Sequence, residues 1–386
     1  MNQKNNFIVY FLFFIIALYF SQGWLYEKGN ILSQTMLFSW LIIDVIYFFK
    51  YANEFKIRSL GWIIVLFMII NFASWFFGDK LVIGAQGWHV NTLGDMKNIT
   101  VFLLSYFPFS YFSKKQNLTD NSLKIFFWMM LVVSSFTYLT NNEVLLENSF
   151  NEDVTNNLAY CFALLFPLLG LFFDKKIKYI LLVVFLYYIM AGAKRGALVC
   201  FFVEAVLFFY FSMFSLSRKK KIQGTLGILI GLVLFVISIV VLYNSNTYLQ
   251  YRLDLMLSGD ESGRDSLRTM LITEYKFGNI FQKFFGRGMD QTLSICGHYA
   301  HNDWIQLLID TGLFGAIVYL MLFINLFKYY NKNKKYMDTR LKFMYLSAVV
   351  CWILKSMLSM GYTDIHSYLL LPPIVYTQAI VSQQKK

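Results

Sequence analysis

The sequence predicts an all-α, polytopic membrane helix bundle of about twelve transmembrane helices, each near the length that crosses a bilayer. Composition is the first of three observations behind this reading. Of 386 residues, 58% are hydrophobic and 19% aromatic, only 15% are charged, and the mean hydropathy is +0.52. A soluble domain cannot hide that much apolar surface. Second, apolar runs of about 17–22 residues recur along the whole chain, enough to cross roughly 30 Å of hydrocarbon as helices. Only helices satisfy every backbone polar group within such a segment. Third, lysine and arginine alternate between the ends of successive runs.

The runs occupy 7–26, 31–49, 59–77, 98–113, 123–140, 157–173, 177–193, 196–215, 222–243, 313–330, 342–360 and 367–382. The first is too long for a signal peptide and lacks a small-residue cleavage site, so it reads as the first membrane helix. With the N-terminus cytoplasmic, the inner face collects Lys50, Lys56 and Arg58, then Lys114 and Lys115, then Lys175, Lys176 and Lys178. It next collects Arg218 and Lys219–Lys221, the basic run from Lys328 to Lys342, and Lys385 with Lys386. The outer loops are sparse in base, and 141–156 is acidic through Glu143, Glu147, Glu152 and Asp153. This positive-inside pattern places both termini in the cytoplasm. The formal charge of +12 therefore records topology, and no nucleic-acid partner is expected; the partner that the charge implies is the lipid bilayer.

Residues 1–386 read as one membrane domain without repeats or linkers. Gly227 and Gly231 form a small-residue spacing suited to close helix packing, and Pro372-Pro373 is expected to kink or unwind the last helix. Cys161, Cys200 and Cys351 fall in apolar spans and Cys296 in a loop, with no spacing that suggests a metal or a bridge.

One connection is exceptional. Residues 244–312, about 70 in all, form a large extracytoplasmic loop, and long ordered loops commonly carry function. Ser262-Gly263-Arg264-Asp265 resembles a capping box, and Leu267, Met270, Leu271 and Tyr275 follow at helical spacing. Such a helix lies on the membrane surface or packs over the bundle. Gly286-Arg287-Gly288 breaks it. Asn302-Asp303 begins another helix, running Trp304 to Asp310 and stopped by Thr311-Gly312.

Phosphate-loop, DxD, HExxH and G-x-S-x-G motifs are absent, so neither metal-dependent nor cytosolic nucleotide-dependent chemistry has support and no cofactor is expected. Three constellations remain. Ala191-Gly192-Ala193-Lys194-Arg195-Gly196 puts Lys194 and Arg195 at an outer helix end, where basic residues are disfavoured. They either snorkel to anionic headgroups or, with small neighbours admitting a bulky group, grip a phosphate, for which the planar arginine fork is suited. Arg252, Arg264, Arg268 and Arg287 gather in the large loop. Arg264 and Arg268 share a helix face, and Asp254, Asp260, Glu261 and Asp265 are near enough in sequence for salt bridges as the alternative. His298-Tyr299-Ala300-His301-Asn302-Asp303 enters a helix N-terminus, whose dipole favours a neutral imidazole at His301 and attracts anions. A neutral histidine can serve as general base toward a sugar hydroxyl. His89 and His366 read as solvated. Within the spans, Asp44, Glu204 and Lys355 are costly charges; Glu204 and Lys355 either pair between helices or line a polar cavity.

The stretch His301-Asn302-Asp303-Trp304 through Asp310-Thr311-Gly312-Leu313-Phe314-Gly315 resembles the HN-x-x-L…G-L-x-G signature of the O-antigen ligase and Wzy-type polysaccharide polymerase family. Ala193-Lys194-Arg195-Gly196-Ala197, Ser262-Gly263-Arg264 and Phe285-Gly286-Arg287-Gly288 resemble further elements of that family, in the same order, over roughly residues 155–330. The resemblance implies a metal-independent, inverting, GT-C-like membrane glycosyltransferase on the outer face of the bacterial inner membrane. Its donor and acceptor would be oligosaccharides on undecaprenyl pyrophosphate. Carried over, Arg195 and Arg264 hold the pyrophosphate, and His301 activates the acceptor hydroxyl or orients the phosphates. Arg268, Arg287, Arg252, Asn302, Asp303 and Lys194 are the supporting substrate-binding candidates. The aromatic after His301-Asn302-Asp303 and the closing Asp310-Thr311-Gly312 favour a polymerase over a ligase acting on lipid A core. A lipid-linked oligosaccharide flippase is the reading from another class. A chain-length regulator protein is the further partner that the resemblance leaves open, as are O-antigen, capsule and exopolysaccharide as products.

Overall fold

The computed structural model describes residues 3–52, 59–87, 89–115, 117–148, 156–214 and 264–385, together with the single residues 237, 240, 244, 250 and 254. Among the described residues the protein is all-α apart from one small hairpin. Six helices among the described residues are long and apolar enough to cross a membrane: α2 (Ile31–Ala52), α3 (Leu60–Phe77), α6 (Asp120–Asn148), α9 (Arg195–Phe214), α14 (Gly312–Asn333) and α15 (Thr339–Leu358). Apolar stretches also run through α1 (Gln3–Phe20), α7 (Ala159–Leu165) with its 3-10 continuation Phe166–Phe172, and α8 (Ile177–Ala191). Phe49, Ile69, Phe76, Val183 and Val206 point outward from these helices, as expected where the surroundings are hydrocarbon. The expected span at 222–243, with Gly227 and Gly231, lies outside the described residues except for Ile237 and Val240.

Two expected single helices are interrupted. The run 98–113 is divided into α4 (Leu93–Leu104) and α5 (Tyr106–Lys114) at Ser105. Pro108 lacks the N–H that would bond the Leu104 carbonyl, which favours a break there. The Ser105 hydroxyl instead accepts the Trp40 indole N–H at 3.0 Å and donates to Asp44 at 2.9 Å. The run 157–173 changes from α to 3-10 near Pro167. The last expected run, 367–382, begins as a 3-10 segment at Ile365–Leu370 and becomes α-helical only at α16 (Leu371–Gln384), so it is locally unwound just before its prolines. Pro372 and Pro373 occupy the first turn of α16, where a helix N–H has no internal acceptor.

The basic helix ends lie together. Arg340 at the start of α15 pairs with Asp120 at the start of α6, Tyr376 of α16 donates to the same carboxylate at 2.5 Å, and Lys385 bonds Asn333 at the end of α14. At the opposite end, Thr137 donates to the Phe20 carbonyl at 2.9 Å, and Asn156 connects α6 to the turn between α8 and α9 through Tyr138 and Gly192. α15 is the most enclosed of the six long helices. Its Trp352 ring packs edge-on against Phe102 and Phe323.

Four short helices cap this second end: α10 (Arg264–Phe277), α11 (Ile280–Phe285), α12 (Gln291–Cys296) and α13 (Asp303–Asp310). Of the expected apolar stripe of α10, Leu271 is fully buried with Ala300 and Ile309 and is flanked by Tyr275, whereas Leu267 is half-buried and Met270 exposed. Ser262 and Gly263 of the expected capping box lie outside the described residues. α10 ends at Gly278, before the expected break, and α11 starts with a full capping box between Asn279 and Gln282. The hairpin pairs β1 (Leu81–Ile83) with β2 (His89–Asn91) antiparallel, Val82 opposite Val90. It joins the cap where Ala85 donates to the Gly297 carbonyl at 3.0 Å.

Candidate active site

The site forms at the N-terminus of α13. Asn302 caps this helix, its side-chain oxygen accepting the N–H groups of Trp304 and Ile305 at 3.0 and 3.2 Å. Its amide donates to the Met357 carbonyl at 2.9 Å, tying the cap to the end of α15. Asp303 is fully buried and accepts from Gly361 N at 2.7 Å, Tyr362 N at 3.2 Å and the Tyr319 hydroxyl at 2.8 Å. Both residues thus position the helix start rather than project into open space.

His301 precedes the cap in a left-handed conformation, φ +48°, which is uncommon for a side-chain-bearing residue and is retained mainly where surrounding contacts enforce it. Those contacts are visible on either side. The Tyr299 hydroxyl donates to Asp95 at 3.1 Å, and Ala300 N donates to Gln306 Oε1 at 3.2 Å. Gln306 in turn donates to Asp310 at 2.6 Å and receives the Thr292 hydroxyl at 3.0 Å. Burial pushes the Asp290 carboxyl up to about 10, and its neighbours Asp95 and Asp310 push in the same direction. Asp95 and Asp290 share a hydrogen bond, which requires a proton between them at neutral pH.

Three distant parts of the sequence meet at His301. Burial lowers its imidazole to about 4, and the cations Arg264 and Lys194, with His298, add to the shift. Arg264, the first residue of α10, also donates to the Leu358 carbonyl at 3.3 Å. Lys194 and Arg195 follow a sharp turn at Ala193, φ +47°, and Arg195 opens α9. A methyl group on Gly196 would meet the Tyr160 hydroxyl at 1.8 Å and Leu358 Cβ at 3.2 Å, and one on Gly192 would meet Ala159 at 2.6 Å. The small residues flanking Lys194 and Arg195 therefore admit the protein's own α7 and α15. Gly196, the residue after Arg195, thereby lies beside Leu358, the residue whose carbonyl Arg264 holds. A neutral imidazole amid fixed cations can accept a proton while an anionic group sits beside it.

Arg268, one turn along α10 from Arg264, approaches Asp265 at 3.6 Å. Arg287 pairs with Glu274 at 2.8 Å, ten residues along α10 and thus about 15 Å from Arg264 at the helical rise. Arg252 lies outside the described residues. Gly286 and Gly288 serve packing against the end of α13: Arg287 N and Gly288 N donate to the Ile309 and Asp310 carbonyls at 2.8 and 3.2 Å.

Two sequence readings are corrected. Lys355 pairs with Asp364 and donates to Ser367 at 3.1 Å, whereas Glu204 accepts from Ser347 at 2.9 Å. His366 is paired rather than freely solvated: its side chain is 25% exposed, its Nδ1 contacts Asp364 Oδ1 at 2.7 Å and its ring packs 4.6 Å from Phe20. Burial lowers its pKa, but the neighbouring Cys161 and Asp364 more than offset this and raise it to about 10. The spacing Asp364-x-His366 was the available signal, since a carboxylate two residues before a histidine can turn back onto its ring. Among the described residues, no three His, Cys, Asp or Glu side chains converge as a metal-binding group. Compared with known proteins, the chain matches no family model and no curated protein.

Proposed function

We propose that the protein is a membrane glycosyltransferase that polymerises undecaprenyl-pyrophosphate-linked oligosaccharide repeats on the outer face of the bacterial inner membrane. In this reading twelve helices span the membrane, both termini are cytoplasmic, and 244–312 is extracytoplasmic. The observation that carries it is that Arg264 and the Lys194–Gly196 turn both reach Leu358, with the charges of Arg264 and Lys194 lowering His301 at a helix N-terminus. Neutral His301 takes the proton of the acceptor sugar hydroxyl as its oxygen bonds to the donor's anomeric carbon. The bond from that carbon to the pyrophosphate breaks, with inversion, and undecaprenyl pyrophosphate leaves carrying the electron pair. Arg264, Arg195 and Lys194 stabilise the departing charge, so the donor needs no metal to make its leaving group acceptable. The product is O-antigen, capsule or exopolysaccharide.

An O-antigen ligase, transferring the glycan to lipid A core, would use the same groups and differ only in its acceptor. A lipid-linked oligosaccharide flippase would not need a base among cations, and the packing of α10 and α13 together over the end of α15 favours transfer over transport. The test is the surface-glycan profile of a deletion strain complemented with wild type or His301→Ala. Single repeats on lipid A core, without a ladder, support the polymerase. Bare core with long lipid-linked glycan makes it the ligase, and a normal ladder removes His301 from the reaction.

A further inference from the structure

Two adjoining cavities open at the same end of the bundle as His301, outside the site described above. The deeper, of about 440 Å³, lies between the ends of α1 and α6, the start of α7 and the Ile365–His366 turn. The shallower, of about 520 Å³, continues from it past Trp24 and Tyr26. Lys28, Thr137 and Asn141 border both, so the two form one groove.

The lining of the deeper half is unusual for a bundle whose outward faces are apolar. Gln22, Asn98, Asn141 and Asn157 contribute four amides, and Lys28 and the Asp364-paired His366 contribute basic groups; among the described lining residues of both halves the carboxylate is Glu27, in the shallower half. The amides of Asn98 and Asn157 make no hydrogen bond to protein among the described residues. Each therefore presents a donor and an acceptor to whatever enters. Tyr19 and Phe20 supply aromatic surface beside them, and in the shallower half Trp24 stacks on Phe136 at 4.6 Å. Paired donors and acceptors next to aromatic faces match a sugar ring, whose hydroxyls both donate and accept and whose C–H faces are apolar. The volume falls within the range of ligand pockets, and two adjoining halves leave room for more than one ring.

The groove is also tied to the candidate active site from three directions. Asn98 stands one turn after Asp95 on α4, and Asp95 receives the Tyr299 hydroxyl two residues before His301. Asn157 follows Asn156, whose N–H donates to the Gly192 carbonyl at 3.0 Å, two residues before Lys194. His366 is held by Asp364, and Asp364 by Lys355 of α15.

We infer that this groove is a saccharide-binding subsite, which holds the oligosaccharide of a substrate while its reacting end lies at His301. The inference rests on the glycosyl-transfer reading, and direct binding of a free sugar separates the two. The probe is the oligosaccharide repeat released by mild acid from the producing strain's own surface polysaccharide. It is titrated by saturation-transfer NMR into the full-length protein in lipid nanodiscs. Wild type and Arg264→Ala bind it alike, because the groove needs no pyrophosphate. Asn98→Leu/Asn157→Leu binds at least about tenfold more weakly, the loss expected for two hydrogen bonds. Lys28→Ala, at an exposed position, guards against misfolding of the double variant and also weakens binding. No saturation transfer to wild type at millimolar sugar, or equal affinity in all variants, overturns the subsite. Sugar binding alongside a normal ladder from His301→Ala would leave the subsite standing and sink the catalytic reading.

Discussion

The Asp303 carboxylate accepts the backbone N–H of Gly361 at 2.7 Å, binding the first residue of α13 to the turn after α15. Tyr362 N and the Tyr319 hydroxyl complete its set of donors. This one side chain holds the helix start, and with it His301, against two long helices.

Removing that carboxylate should be costly. Asp303→Ala leaves three buried donors without an acceptor, each worth about 1–3 kcal/mol when orphaned. A large fall in melting temperature, read in detergent by intrinsic fluorescence, is expected, together with loss of the polysaccharide ladder. Asp303→Asn keeps one acceptor oxygen and should fall between Ala and wild type. An Ala variant melting like wild type would show that the turn is held by other contacts.

His301 supplies the pH dependence. Its pKa is lowered to about 4 from an ordinary 6.5, first by burial and then by Arg264 and Lys194. Between those values the unfolded chain binds a proton that the native site refuses. Stability from this group therefore rises with pH across the window, and is lost as pH falls from about 6.5 toward 4. Histidine-selective NMR should find the His301 ring neutral well below pH 6.5. Lys194→Gln removes one of the depressing charges, so its titration should move upward toward 6.5. An unmoved midpoint would place Lys194 outside electrostatic reach.

Much of this was legible in sequence, for identifiable reasons. The Asn302 cap and the stop at Thr311-Gly312 depend on local chemistry, and α13 runs from Asp303 to Asp310, one residue earlier than the sequence places it. The span at 98–113 was misread as one helix because hydropathy does not register the hydrogen bond that Pro108 removes. The meeting of Lys194, Arg264 and His301 follows from helix packing, to which spacing gives no access. Lys355 stands out in the sequence as a costly charge, but spacing leaves open whether it pairs with Glu204 or lines a cavity. Asp364 escaped notice because it stands in a short polar turn, where a carboxylate attracts no attention.

Gly312 joins α13 to α14 at φ +67°, and a methyl group there would lie 2.4 Å from the Phe284 carbonyl carbon and 2.6 Å from Gly286 N. Both obstacles are backbone, so no side chain can move aside. Gly312→Ala combines strain at positive φ with overpacking, each about 1–3 kcal/mol. Reduced yield of folded protein and a lower melting temperature are expected. Gly94→Ala, whose added methyl meets nothing within 4 Å, should melt like wild type. Equal melting of the two variants would mean that the α13–α14 joint has more room than its backbone distances allow.

The Lys355–Asp364 pair offers a sharper separation of charge from packing. Lys355 is 1% exposed and Asp364 27%, so the lysine depends on the carboxylate far more than the reverse. Removing one partner of a buried pair commonly costs about 3–5 kcal/mol, whereas replacing both by uncharged groups of similar size can be nearly neutral. Asp364→Asn alone should therefore destabilise strongly, because the lysine is left charged among Tyr160, Ser367 and apolar neighbours. Adding Lys355→Met should recover most of that loss. Asp364 also holds His366 through Nδ1 at 2.7 Å, so the recovered double variant should still show an altered His366 titration. Thermal melts of the two single variants and the double form a cycle whose coupling energy measures the pair. Additive losses would show that Lys355 finds a second anion and that the pair contributes little to holding α15.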